Sequence, residues 1–289
     1  MSFSPRDLEF QAEALAASLP PLLVGAGRVA ASLAQGSHGR RRSGPGESFW
    51  QFRRYQPGDS ANAIDWRQSA KSDPLYVRET EWAAAQTIWV WPDRSASMRW
   101  RSRTDLPEKR QRAALLALTA AAILLQGGER LGVLGGIDGP STGRSAMPLL
   151  ANAMFGPGEE NGGLPDVPVS RQAHLLLFSD FLMPLDMVGA QLQRWAEGGV
   201  RGILIHLLDP AEIDLPYQGR VRFVGLEGEG ALVAPRAEAL RAAYASRLTA
   251  HRAALADMAR AIGWGFLDHR TDAAPQETLV ALHGALAGR

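Results

Sequence analysis

The sequence predicts an α/β fold, in which helices cover both faces of a parallel β-sheet and a small β-containing region precedes it. The first observation is that apolar runs of strand length begin near residue 88 and then alternate with helical patterns. The second is that 46% of the 289 residues are hydrophobic, which is enough for a sizeable buried core. The third is the absence of cysteine, which excludes disulfides, thiolate catalysis and cysteine zinc sites.

The first 86 residues are predicted to form an accessory region of helix and strands. Apolar residues recur at roughly helical spacing between positions 7 and 34, interrupted by Pro20 and Pro21. The stretch 35–46 is rich in Gly, Ser and Arg, which predicts a solvated loop carrying Arg40 to Arg42. The runs ESFWQFRRY and LYVRETEW are typical of strands, and QPGD between them predicts a turn in which Asp59 accepts local hydrogen bonds.

Residues 87–289 are predicted to form the main domain. Its strands are expected at about residues 87–92, 130–136, 173–179, 202–208 and 264–268. The segment 107–126 is apolar almost all round, which predicts a helix buried deeply beside the sheet. The sequence VRFVGLEGEGALVA, residues 221–234, predicts an inserted hairpin. A long helix over about 236–262 should then cover one face of the sheet with a stripe formed by Leu240, Tyr244, Leu248, Leu255, Met258 and Ile262.

The charge balance and the hydropathy of the chain limit the kinds of partner and the cellular location that the sequence favours. The chain has 31 Lys plus Arg and 30 Asp plus Glu, a balance that disfavours wholesale binding to nucleic acid or to an anionic membrane. The start MSFSPRDLEFQ lacks the basic and apolar segments of a signal peptide. The apolar run 113–125 is shorter than the roughly 20 residues that a membrane-spanning helix needs. We therefore expect a soluble, cytoplasmic protein without a membrane span.

Acidic and hydroxyl side chains follow two of the predicted strands. Asp93, Ser95 and Ser97 stand at alternate positions directly after IWVWP, and Asp180 directly follows HLLLFS. Functional groups of an open parallel sheet collect beyond the carboxyl ends of its strands, so these side chains should lie together. An all-oxygen set favours a hard divalent cation, Mg2+ above all. The alternative is that these residues cap helices, which Ser and Asp commonly do.

The segment DRSAS resembles the Asp-x-Ser-x-Ser element of von Willebrand factor A domains, whose metal-ion-dependent adhesion site binds Mg2+. The resemblance implies a Rossmann-like sheet of the A type, a site for Mg2+ (alternatively Mn2+ or Ca2+), and a second aspartate where Asp180 stands. It also implies a threonine ligand from an intervening loop. Thr142 is the candidate in GPSTGRSAM, with Ser141 and Ser145 as substitutes.

The preceding segment RRYQPGDSANAIDWRQSAKSDPLYVRETEW is similar to the hallmark of a bacterial family called domain of unknown function fifty-eight. That family joins this hallmark directly to an A-type domain, as this chain does. Its members are commonly associated with MoxR-type AAA+ ATPases, so the resemblance implies such an ATPase, or its client, as the partner. Many relatives carry membrane helices that this chain lacks.

These observations favour a non-enzymatic, Mg2+-dependent protein-binding module, an adaptor or co-chaperone of a MoxR-type ATPase. In this hypothesis an Asp or Glu of the partner completes the metal site formed by Asp93, Ser95, Ser97, Thr142 and Asp180. One alternative is a metal-dependent phosphoester hydrolase, although no catalytic histidine set, nucleophile elbow or phosphate-binding loop is visible. The other alternative is a metal-free scaffold.

Overall fold

The computed structural model describes residues 4–19, 49–57, 59–60, 62, 64–71, 74–80, 85–143, 145–155 and 163–287. The predictions for residues 20–48, including the loop with Arg40 to Arg42, lie outside the described residues. The elements in chain order are α1 (Pro5–Ser18), β1 (Phe49–Arg54), α2 (Trp66–Ser69), β2 (Tyr76–Thr80), β3 (Thr87–Pro92), α3 (Lys109–Gln126), β4 (Arg130–Val133), α4 (Ala146–Phe155), β5 (His174–Ser179), α5 (Leu185–Glu197), β6 (Arg201–Leu208), α6 (Pro210–Asp214), β7 (Val221–Val224), β8 (Ala231–Ala234), α7 (Arg241–Ala261), β9 (Gly265–Arg270) and α8 (Pro275–Ala287).

The centre of the fold is a five-stranded parallel sheet in the order β4-β3-β5-β6-β9. Helices flank it, so the predicted α/β class is confirmed, and the arrangement is Rossmann-like. All five predicted strands form. β4 ends at Val133, three residues earlier than predicted, because the chain turns at Leu134 and Gly135, where Gly135 has φ +77°.

Two apolar cores lie on opposite faces of this sheet. On β5, Leu176 and Phe178 pack into the core that contains α3, α4 and α8, whereas Leu175 and Leu177 pack into the core beneath α5 and α7. Alternate side chains of a strand point to opposite faces, so a continuous apolar run is what a strand between two helical layers requires. Both faces of the sheet are therefore covered by apolar cores, and functional side chains are expected at its edges.

The apolar helix predicted near 107–126 is α3, and most of its residues are buried as expected. It is covered on one side by α1, which starts with a capping box formed by Ser4 and Asp7. Leu8, Ala12 and Ala16 of α1 are buried in the same core as α3. Residues 5–18, assigned to the accessory region from sequence, thus pack directly on helices α3 and α4 of the main domain.

The long helix α7 covers the sheet with only part of its length. Leu255 and Ala259 near its end are fully buried, whereas Leu240 lies in a 3-10 turn before the helix and is 37% exposed. The predicted stripe is therefore wrong at Leu240, whereas Tyr244 and Leu248 are half-buried, unlike the residues around them. α7 also packs against α6, so the helix is not confined to the sheet face.

The predicted accessory strands and the one predicted hairpin are present. β1 pairs antiparallel with β2, and in the turn after β1 the Asp59 carboxylate accepts hydrogen bonds from the Gln56 N–H and the Arg53 guanidinium. β7 pairs antiparallel with β8 and forms a separate two-stranded sheet. None of the helices in the described parts of the chain has the length and apolar content needed to cross a membrane.

Candidate functional site

Two aspartates meet at the carboxyl edge of the central sheet. Asp93 follows β3 and Asp180 follows β5, and in these neighbouring strands Pro92 is opposite Phe178. The Asp93 N–H extends the ladder by donating to the Phe178 carbonyl oxygen at 2.8 Å. Each aspartate is only 1% exposed. The structure therefore brings both residues to the edge where the sequence places them, but it buries them.

The oxygens of the Asp-x-Ser-x-Ser segment converge. The Ser95 N–H donates to Asp93 Oδ1 at 2.8 Å, and the two hydroxyl oxygens of Ser95 and Ser97 are 3.0 Å apart. The Ser179 hydroxyl, from the last residue of β5, donates to Asp93 Oδ2 at 2.6 Å. One carboxylate and three hydroxyls thus form a compact oxygen cluster that is almost closed to solvent.

The helix-capping explanation does not account for these side chains. Ser95 precedes a short 3-10 turn (Ala96–Arg99), but its hydroxyl makes no capping hydrogen bond. The helix after Asp180 is α5, whose capping position is occupied by Pro184. Asp180 instead stands before Phe181, whose φ of +48° is unusual for a residue other than glycine. Such backbone strain is found preferentially at functional sites.

A buried lysine joins the site from helix α3. Lys109 Nζ donates to Asp180 Oδ2 at 2.7 Å and to Glu212 Oε1 at 2.5 Å. The Lys109 and Asp180 side chains are each 1% exposed. Burial lowers the pKa of Lys109, but the two carboxylates outweigh it and raise the pKa overall, so the ammonium stays charged. Lys109 and Glu212, from the start of α3 and from α6, are site residues that sequence reasoning missed.

Negative charge exceeds positive charge in this buried cluster. The cluster contains three carboxylates, those of Asp93, Asp180 and Glu212, and one ammonium, which pairs with Asp180 and Glu212 only. Burial raises the pKa of Asp93, hydrogen bonds from Ser179 and Ser95 oppose the rise, and repulsion from Asp180 adds to it. Burial likewise raises the pKa of Glu212 against the opposing effect of Lys109. The ionised carboxylates are therefore under-compensated, a condition that a bound cation or proton relieves.

The oxygen cluster fits a hard divalent cation by its chemistry. Asp93, Ser95 and Ser97 supply one charged and two neutral oxygens, the ligand type that Mg2+ takes. In the described part of the chain, no group of three or more His, Asp or Glu side chains is placed so that it could hold a metal ion. A cation at this edge would therefore depend on the serine hydroxyls as well as on the carboxylates.

Thr142 is not brought to this cluster. Its neighbour Ser141 pairs with Leu131, the second residue of β4, and Leu131 lies opposite Ile88 on β3. Ile88 is five residues before Asp93, which corresponds to roughly 16 Å along a strand. Thr142 is exposed, as is Ser145. The loop after β4 folds back along the strand, so Ser141 and Thr142 lie near its amino end instead of the carboxyl edge.

Arginines border the outer side of the cluster. A small cavity of about 60 Å³ is lined by Asp93, Arg94, Arg99 and Arg110 together with apolar residues. A larger cavity of about 670 Å³ shares Pro92 and Arg94 with it and extends towards α5. The edge of the sheet thus combines an acidic buried cluster with basic side chains nearer the surface.

The histidines of the described residues form no hydrogen bond with the serine hydroxyls of this oxygen cluster. The Ser95 and Ser97 hydroxyls have each other as partners, and hydrogen bonds in the described residues connect neither of them to an imidazole. His206, expected from sequence to be a core residue, is fully buried and pairs through Nδ1 with Asp268 Oδ1 at 2.9 Å. His251 lies beside it, with ring centroids 6.2 Å apart. Among the histidines that the structure describes, none is hydrogen-bonded to Ser95 as a general base would be.

Residues 51–254 match the family described as "Protein of unknown function DUF58". This span covers more than half of the chain. The chain belongs to this family. The DUF58 match includes Asp93, Lys109, Asp180, Glu212 and the β7–β8 hairpin, so every group of the buried cluster lies inside the family region. The family membership expected from the RRYQPGD segment is confirmed.

Similar proteins are themselves described only as uncharacterised. A protein of Mycobacterium bovis and two of Mycobacterium tuberculosis are each 28% identical to this DUF58 chain over 274 residues, covering 89% of this chain and 85% of each relative. A crystal structure described as the conserved hypothetical protein BatB from Bacteroides thetaiotaomicron is 14% identical, with a TM-score of 0.32, covering 71% of this chain and 98% of that one. Likeness at this level carries no argument about function.

Proposed function

We propose that this chain is a non-enzymatic protein-binding module of the von Willebrand factor A type. An acidic side chain of the partner would complete the coordination of its Mg2+. The observation that carries the proposal is the convergence of the Asp93, Ser95 and Ser97 oxygens at the carboxyl edge of a parallel sheet, beside Asp180. Asp93, Ser95 and Ser97 would hold the ion. When bound, the cation would provide an electrophilic centre that a carboxylate of the partner can coordinate.

Asp180 has a different part in this proposal. One of its oxygens is already held by Lys109, so it would add negative charge near the ion instead of a full pair of ligand oxygens. Thr142 lies near the other end of β4 and is left out of the ligand set. The proposal therefore rests on three ligand side chains and one supporting carboxylate.

The basic rim favours an acidic partner. Arg94, Arg99 and Arg110 line the cavity next to Asp93, so an approaching Asp or Glu passes positive charge before it reaches the cluster. The partner that we propose is a MoxR-type AAA+ ATPase or the client that it remodels, which follows from the family resemblance in the sequence. The chain would then act as an adaptor or co-chaperone.

The decisive variant is Asp93→Asn. It removes the charge but keeps the shape, whereas alanine would leave the Ser179 hydroxyl and the Ser95 N–H without their acceptor. We expect titration calorimetry with Mg2+ to show binding to the wild type and none to Asp93→Asn. A pull-down of a purified MoxR-type ATPase should be lost with chelator and with this variant.

The matched control is Ser145→Ala, an exposed hydroxyl at the start of α4. It should bind Mg2+ and the ATPase like the wild type. ATPase binding that ignores both the chelator and Asp93→Asn would contradict the proposal. Turnover of generic phosphoesters that requires Asp93 would instead support the hydrolase.

A metal-free scaffold is the second candidate, and Lys109 is the observation that favours it. Its ammonium already neutralises part of the charge on Asp180 and Glu212, and Ser179 already satisfies one oxygen of Asp93. The same calorimetry separates the two functions, since a scaffold gives no heat with Mg2+ while still binding its partner.

A further inference from the structure

The β7–β8 hairpin reaches across to the oxygen cluster. The Ser97 N–H donates to Glu227 Oε1 at 3.3 Å, a contact between residues 130 positions apart in the chain. We infer that this hairpin is a lid over the candidate cation site, and that Glu227 occupies the position that the carboxylate of a partner would take. The inference rests on the proposed function and adds that Glu227 competes with the carboxylate of the partner for the same position.

The turn of the hairpin is shaped to present Glu227. The Gly225 N–H donates to the Gly230 carbonyl oxygen at 2.8 Å and closes the turn. Gly228 and Gly230 both have φ +90°, a conformation that other residues rarely adopt. The Glu229 carboxylate folds back to accept the Glu227 N–H at 3.0 Å. Glu229 therefore supports the turn, and Glu227 is the residue that contacts the cluster.

The hairpin is held loosely enough to move. Within the parts of the chain that the structure describes, β7 and β8 pair only with each other, and Val224, Leu232 and Val233 are 61%, 60% and 45% exposed. Few buried apolar contacts thus oppose its displacement, and segments of this kind open at low free-energy cost. At its base, Tyr217 packs edge-on against Phe223 with ring centroids 5.6 Å apart, so the base can stay in place while the tip moves.

The lid explains why a site meant for a partner is closed to solvent. Asp93, Ser95 and Ser97 are between 1% and 8% exposed, and in this conformation Glu227 occupies the Ser97 N–H, so that side of the cluster is closed to an external carboxylate. With the tip displaced, the Ser97 N–H loses its acceptor and the cluster faces solvent on that side. Partner binding would therefore require opening, and the acidic group of the partner would replace Glu227.

The test uses the full chain, the variant Glu227→Gln, and Glu13→Gln as a control for an exposed glutamate on α1. Hydrogen exchange without metal reports the lid: because a neutral amide oxygen is a weaker acceptor for the Ser97 N–H than a carboxylate, we expect faster exchange across residues 95–99 in Glu227→Gln and unchanged exchange in Glu13→Gln. Calorimetry with Mg2+ tests whether the Glu227 carboxylate contributes to metal binding. The affinity of the protein for Mg2+ should fall about tenfold in Glu227→Gln, the lower end of what the loss of one supporting group costs a metal site. It should not change in Glu13→Gln.

The outcomes separate the lid from the proposed function. Unchanged exchange in Glu227→Gln overturns the lid, whatever the metal does. If exchange is faster but the wild type and Glu227→Gln bind Mg2+ with equal affinity, the lid stands and Glu227 does not act as a carboxylate at the cation. Faster exchange with no Mg2+ binding to any of the three proteins keeps the lid and overturns the proposed function.

Discussion

At the scale of single residues, Lys109 organises the candidate site. Its ammonium is buried between Asp180 and Glu212, which are 71 and 103 positions away in the chain. A buried charge is tolerated only when it is paired and hydrogen-bonded, so these three side chains depend on one another. The neighbouring Arg110 carries the same charge but lies at the surface and pairs with Glu108.

Lys109→Met should therefore be strongly destabilising. It leaves two buried carboxylates without their cation, and breaking a buried pair in this way costs about 3–5 kcal/mol of unfolding free energy. Arg110→Met is the matched control and should change that free energy by less than about 1 kcal/mol, since it removes a surface pair. Urea denaturation measures both. Adding Glu212→Gln to Lys109→Met should restore part of the loss, and equal stability of the two single variants would show that the buried network contributes nothing.

The residue scale also shows the limit of sequence reasoning. Asp93, Ser95, Ser97 and Asp180 are recognisable because they directly follow apolar runs. Lys109 stands in a charged helix start, EKRQR, and nothing local distinguishes it from the other charged residues there. Only the stacking of α3 against the sheet edge selects it for burial.

At the scale of elements, glycines allow tryptophan rings to lie against the sheet. On β4, Gly132 is opposite Trp89, and a Cβ at this position would lie 2.6 Å from the indole. On β6, Gly202 is covered in the same way by Trp264, whose ring stacks on Trp195. The strands thus keep close packing where a larger residue would force the rings away.

Gly202→Ala should destabilise the protein because its new methyl group clashes with the Trp264 ring. Overpacking of this kind costs roughly 1–3 kcal/mol. Gly284→Ala in α8 is the control, because open space surrounds that position, and alanine there should be neutral or stabilising by up to about 1 kcal/mol. Denaturant unfolding with tryptophan fluorescence reports both changes. Similar effects of the two substitutions would contradict the packing explanation.

At the scale of the whole molecule, His269 connects three layers of the fold. It lies on β9, its Nδ1 is 2.7 Å from the Thr278 hydroxyl of α8, and the Arg112 guanidinium of α3 is close enough to disfavour its positive charge. Burial, followed by repulsion from Arg112, lowers the pKa of His269 to about 4, although Asp272 opposes the shift. The folded protein therefore keeps this imidazole neutral under mildly acidic conditions.

Stability should consequently fall as the pH decreases from about 6.5 to about 4. In this window the unfolded chain binds a proton at position 269 that the folded chain does not, and the full loss amounts to about 3 kcal/mol. His269→Gln should lose less stability than the wild type between pH 7 and pH 4.5. Thr278→Val, which removes the hydroxyl partner but keeps the imidazole, should retain the steep dependence. Chemical denaturation at the two pH values makes the comparison, and parallel curves for the wild type and His269→Gln would exclude this histidine as the cause.

The sequence by itself determined the strands, the buried helix α3, the inserted hairpin and the position of the aspartates at strand ends. Each of these depends on patterns a few residues long, namely apolar periodicity, glycine turns and the direction of a strand. The tertiary structure alone decided that Thr142 lies near the amino end of β4, that Lys109 and Glu212 enter the cluster, and that Glu227 contacts Ser97. These outcomes join residues far apart in the chain, and they follow from how helices and loops stack on the sheet, which no local pattern encodes.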